Sequence, residues 1–171
     1  MVSKFSSFTD EKMQKSLLNL KYLAYLFILI VVIVGVGFNS YFGYKLLASE
    51  KYKSFSVHTI AWMAAIYFVA IMILLGIKDV LIMLTNLSKG NIFTHENAEI
   101  LRRVDKKLLI TLIFSIIVNM IMAIAGFTSF QFMFLWLVFI SFLLAGHILV
   151  NPLALLVEKS ADMQIEMDLT I

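Results

Sequence analysis

The chain has 171 residues, of which 61% are apolar and 15% charged, with a formal charge of +3, one proline and no cysteine. Soluble domains are about 45–50% apolar and about 25% charged, so this composition excludes an ordinary water-soluble domain and points to a membrane. Without cysteine there are no disulfides or thiolate metal sites. The small positive charge reads as topological bias, and no direct nucleic-acid contact is expected.

The first twenty residues contain Thr9 and Asp10, either suited to cap a helix, followed by Leu17, Leu18 and Leu20. They predict a short amphipathic lead-in at the membrane surface. Charged residues are then missing between Lys21 and Lys45, between Lys53 and Lys78, and between Lys107 and Glu158. At about 1.5 Å per residue, about 20 residues cross a hydrocarbon core of about 30 Å, so the first two gaps each hold one crossing. The third would make a single helix of about 75 Å, and must fold back. Its one polar, glycine-bearing interruption is "GFTSFQ", Gly126 to Gln131. The expectation is an all-α, polytopic integral membrane protein forming one membrane domain. Its four transmembrane helices cover about 21–44, 59–84, 108–126 and 131–152, with a corner at 85–107 and an acidic tail at 158–171.

Eleven of the Lys and Arg residues lie in the N-terminal segment, in the loop after the second span and, as Lys159 alone, after the fourth span, against Lys45, Lys51 and Lys53 after the first. Cytoplasmic loops hold the excess, so both termini are expected in the cytoplasm of a bacterial cell, with the spans in its inner membrane. The first apolar run is too long for a cleaved signal peptide and is expected to stay as an anchor.

In the corner, Leu81, Ile82, Leu84 and Leu87 keep a helical period beyond the second span, and Gly90 suits the left-handed position after a helix end. Thr94 is placed as the next N-cap, Glu96 lies in the first turn against the helix dipole, and Ile100, Leu101, Val104 and Leu108 recur at helical spacing. Two helix ends meeting at a tight turn are expected, the second starting near His95. In the fourth span, Pro152 removes a backbone donor and can kink the helix, which ends near this point, with the apolar run Leu153 to Val157 left open as an interfacial helical continuation.

Polar side chains within the spans are Asn39, Thr111, Ser115, Asn119, Ser141, His147 and Asn151. Depth places His147 near Thr111 and Ser141 near Ser115, which predicts hydrogen bonds across the last two helices. No acidic residue is expected at depth, which argues against an ion path. By this topology His58, His95 and His147 lie outside, in the corner and within the fourth span, with no clustered acidic partner, so neither a shared metal site nor a catalytic dyad is expected. GxSxG, HExxH and P-loop motifs are absent, and the chain is read as non-enzymatic and without a cofactor. The Gly35, Asn39, Gly43 spacing permits close helix packing, a weak signal. "RRVDKK" is read first as a juxtamembrane charge block.

The tail "DMQIEMDLTI" alternates polar and apolar residues from Asp162 to Ile171. An extended segment would place Met163, Ile165, Met167, Leu169 and Ile171 on one side, and Asp162, Gln164, Glu166, Asp168 and Thr170 on the other. That pattern predicts a strand docking on a partner's sheet edge or groove.

On "KGNIFTHENAEILRR" and "DLTI", the chain resembles the small four-helix bacterial membrane proteins grouped as domain-of-unknown-function family 2975. The likeness rests on Gly90, Phe93, Thr94, Glu96, Asn97, Leu101 and Arg102, and on Asp168, Leu169, Thr170 and Ile171, and is expected to extend over nearly the whole chain. It implies no catalytic activity. It does imply a gene often placed beside that of a small helix-turn-helix regulator of the phage-repressor type.

The leading expectation is therefore a membrane-bound regulatory partner. Its corner (with Arg103 added to the motif residues) and its tail (with Glu166) hold or release such a regulator by competing with DNA phosphate for a basic surface. The alternative is a small transport or peptide-immunity protein acting through the spans, with Asn119 and His147 as the intramembrane polar candidates. A third reading docks the tail on its own corner, Glu166 and Asp168 near Arg102 and Arg103. The expected partners are the lipid bilayer and the regulator, with self-association left open.

Overall fold

A computed structural model describes residues 2–48 and 56–169, and among these every long element is a helix. α1 (Val2–Ile30) continues without a break into a π-helical stretch (Val31–Phe38) and then α2 (Asn39–Ala48). α3 (Ser56–Ser88), α4 (His95–Ile124) and α5 (Phe130–Leu169) follow. α1 to α2 together, and each of α3, α4 and α5, are long and apolar enough to cross a membrane, the architecture of a multi-pass membrane protein. The amphipathic lead-in is no separate element: helix begins at Val2, ahead of both proposed caps, and Leu17 is already buried.

The helices line up in sequence order. α5 packs on α4, α4 on α3, and α3 on the α1 to α2 helix, while the α3 and α5 backbones do not meet among the described residues. Small residues permit the close approaches. A Cβ at Gly35 would lie 3.0 Å from Cβ of Ala70, and one at Gly43 would lie 2.0 Å from Sδ of Met63. Between those glycines, Asn39 Nδ2 donates to the Met63 carbonyl at 3.2 Å, and the Ser40 and Tyr67 hydroxyls are 2.6 Å apart. The Gly35, Asn39, Gly43 spacing is thus the seam between the first two spans.

Both described turns between spans close the same way. After α3, Gly90 adopts φ +86°, Asn91 N–H donates to Asn86 O and Gly90 N–H to Leu87 O. After α4, Gly126 adopts φ +70°, Phe127 N–H donates to Met122 O and Gly126 N–H to Ala123 O. These are Schellman closures, in which a left-handed glycine lets the last carbonyls find donors.

α5 departs from expectation. It runs through Pro152 and on to Leu169, so the tail from Asp162 to Leu169 is helical and the strand reading is overturned. Ala154 and Ala161, seven residues apart, are both buried, and Glu158 and Asp162 sit between and beside them on the side facing α4. That three-and-four spacing, in residues with good helix propensity, outweighs the alternation. Thr170 and Ile171 lie outside the described residues.

Candidate functional site

The corner is built around Asn97. Thr94, extended at φ −131° and ψ 150°, caps α4 by accepting a hydrogen bond from Asn97 N–H at 3.2 Å, with Glu96 exposed in the first turn. The Asn97 side chain is 1% exposed. Its Nδ2 donates to Asn91 O at 2.7 Å and Ile92 O at 3.0 Å, while Oδ1 accepts from Asn86 Nδ2 at 3.1 Å. One amide therefore ties the end of α3, the turn and the start of α4 together. Leaving such buried groups unpaired costs about 1–3 kcal/mol each, which gives the corner one geometry. Ala98, Ile100, Leu101 and Val104 fill the interior beside it, whereas Phe93 projects outward.

Ion pairs extend the corner along α4. Asp79 of α3, 7% exposed, pairs with Lys107, and Arg103 Nε stands 4.0 Å from its other oxygen. Lys107 Nζ also donates to Leu75 O at 3.2 Å. Asp79 lies within the expected second span, where no acid had been anticipated. Its partner stands 28 residues away in sequence, but its position inside the 59–84 span was itself a signal.

On the other side of α4, Asp105 Oδ1 is 2.6 Å from His147 Nδ1, Arg102 pairs with Glu158, and His95 Nε2 is 3.3 Å from Asp162 Oδ1. His95 and His147 thus have acidic partners, contrary to the expectation from topology. The tail does dock on its own corner, with Glu158 and Asp162 as the acids that reach it. From Asp162 to Met167 every residue is exposed, Glu166 included. Asp168 and Leu169 complete the helix.

The expected hydroxyl bonds across α4 and α5 do not form. Thr111 donates to Lys107 O at 2.7 Å and Ser141 to Leu137 O at 3.0 Å, each to the carbonyl four residues back in its own helix. Deeper than the His147–Asp105 pair, Trp136 Nε1 crosses from α5 to donate to Ser115 O at 3.0 Å. Ser115 Oγ and Asn119 Oδ1 are buried on one face of α4 with no hydrogen-bond partner among the described residues. No group of three potential metal ligands converges among those residues.

The family model described as "Protein of unknown function (DUF2975)" matches residues 44–171. The chain belongs to that family. No curated protein and no solved structure matches it. The DUF2975 match takes in α3, α4 and α5, hence the whole corner and tail, while α1 and the π-helical stretch precede it. It is narrower than the resemblance by one span. Five of the corner residues that carried the likeness have parts to play in this geometry: the left-handed Gly90, the Thr94 cap, the Asn97 tie, the buried Leu101 and the tail-docking Arg102.

Proposed function

We propose that this protein is a non-enzymatic regulatory partner in the bacterial cytoplasmic membrane, with both termini and the corner in the cytoplasm. Its task is to hold or release a small helix-turn-helix transcription regulator. The observation that carries this reading is the end of α5, an acidic helix whose residues from Asp162 to Met167 are all exposed, with Met163, Ile165 and Met167 each at least half exposed. An exposed helix bearing carboxylates and apolar side chains suits docking in a groove, and its charge suits competition with DNA phosphate for a basic surface. Sequestration thus requires a helix, not the strand expected from alternation.

The tail's contacts to the corner suit a releasable arm. Exposed ion pairs contribute about 0–1 kcal/mol each, so a partner's basic surface can displace Arg102 and His95 from Glu158 and Asp162 at small cost. The test is recruitment of the regulator encoded beside this gene to membranes holding the full chain, or a chain ending at Ala161. Truncation is expected to abolish recruitment; undiminished recruitment overturns the proposal.

A second reading, small-solute transport or peptide immunity, draws on the unpartnered Ser115 Oγ and Asn119 Oδ1 within α4. It predicts that Asn119→Ala alters flux or peptide resistance while truncation at Ala161 leaves both unchanged.

A further inference from the structure

The end of the molecule away from the corner contains a recess of about 660 Å³, between the π-helical stretch, the first half of α3 and the turn into α5. Its size falls within the roughly 300–1,000 Å³ of ligand sites. Polarity is graded along it. His58 and Thr59 at the start of α3, and Thr128 and Ser129 in the turn, line one end. Val34 and Ile66 line it further along the spans, Ile66 about 12 Å from His58 at the α-helical rise. The walls are otherwise mainly apolar.

Two features show a built wall rather than a chance gap. The π-helical stretch supplies Val34, Gly35 and Phe38, and π-helical geometry is rare and frequent at functional sites. Opposite, Trp62 Nε1 donates to Phe127 O at 3.1 Å, and the Trp62 ring lies edge-on to Phe132 at 4.6 Å and Trp136 at 5.3 Å. These contacts fix the α3 side of the recess to the turn although the α3 and α5 backbones stand apart. A wall fixed in advance loses little freedom when a ligand enters.

We propose that this recess binds a free single-chain amphiphile of the long-chain fatty-acid class, its hydrocarbon chain along Val34 and Ile66 and its head at the His58, Thr59 and Ser129 end. The graded lining matches such a molecule end for end, and a volume of one ligand takes one chain. The polar residues cluster at that end, where the head would sit. A bilayer surrounding four apolar helices delivers the ligand laterally.

Of the chain's two tryptophans, Trp62 lines the recess and Trp136 stands against the Trp62 ring at 5.3 Å, so tryptophan fluorescence reports on the recess. Full-length protein in phosphatidylcholine nanodiscs is titrated with dibromostearic acid while tryptophan fluorescence is read. Saturable quenching, reversed by unlabelled stearic acid, is expected. Val34→Phe, which fills the chain end, is expected to weaken binding about tenfold (about 1.4 kcal/mol). Ile66→Phe serves the same purpose if the first variant does not fold. Quenching that rises linearly and equally in the filled variants means partition into the bilayer, and overturns the proposal. Equal quenching by nanodiscs of brominated phosphatidylcholine alone, unrelieved by stearic acid, means ordinary bilayer lipid occupies the recess and also overturns it. The chain ending at Ala161 is expected to bind like the full chain, so failure of the tail proposal and failure of this one are separable.

Discussion

The two ends of the molecule are held together by different means. At the corner end, α3, α4 and α5 are stitched by directional polar contacts: the Asn97 tie, the buried Asp79–Lys107 pair and the histidine and arginine pairs to α5. At the opposite end, glycine-permitted contacts, aromatic rings and the neutral hydrogen bonds of Asn39, Ser40 and Trp62 join α2, α3 and the α4–α5 turn, and a recess remains between them. A connected network of charged and buried polar groups specifies one close-packed arrangement, whereas the neutral contacts at the far end hold their helices around an open recess. The corner is suited to presenting a fixed surface, and the far end to accepting something between its helices.

Asp79→Ala tests the strongest part of that contrast. It leaves the partly buried Lys107 ammonium without its carboxylate, and a loss of about 3–5 kcal/mol is expected, read as a fall in the thermal unfolding midpoint in detergent. Replacement of both residues by apolar ones of similar size should restore most of that loss, since the pair's net contribution is small. A milder effect is expected at the opposite end. Gly43→Val places a Cβ where Met63 now lies, and Met63 is flexible, so about 1–3 kcal/mol is expected, with Met63 turned away in a solved structure of the variant. The smallest change belongs to the tail: Glu158→Ala removes an exposed pair and should shift stability by about 0–1 kcal/mol. A loss at Glu158 as large as that at Asp79 would show that the tail is clamped to the corner and not releasable.

Much of this architecture was legible in the sequence, and what was legible was local. Charge gaps marked the four long helices because a bilayer-spanning segment excludes charge. Gly90 and Thr94 announced the corner because capping acts within a few residues of a helix end. Long-range pairings were not legible. His147 meets Asp105 across 42 residues, and no spacing rule links them. Thr111 and Ser141 misled because a hydroxyl in a helix can satisfy itself on the carbonyl four residues back. The tail misled for a different reason: the residues just ahead of it, Ala154, Glu158 and Ala161, keep a three-and-four spacing, and their docking on α4 carries the helix on through the alternating segment.

The π-helical stretch has a geometric consequence for the first span. Residues spaced by four drift about 40° per step around an α-helix of 3.6 residues per turn, so Gly35, Asn39 and Gly43 would wind off the α3 contact within two steps. The wider turns of Val31–Phe38 oppose that drift and act as a phase correction, allowing a strict four-residue repeat to keep facing one neighbour. Removing a single residue from this stretch would rotate Asn39 and Gly43 off their partners while leaving the span long enough to cross a bilayer. The first span is therefore specified by rotational register more tightly than by length.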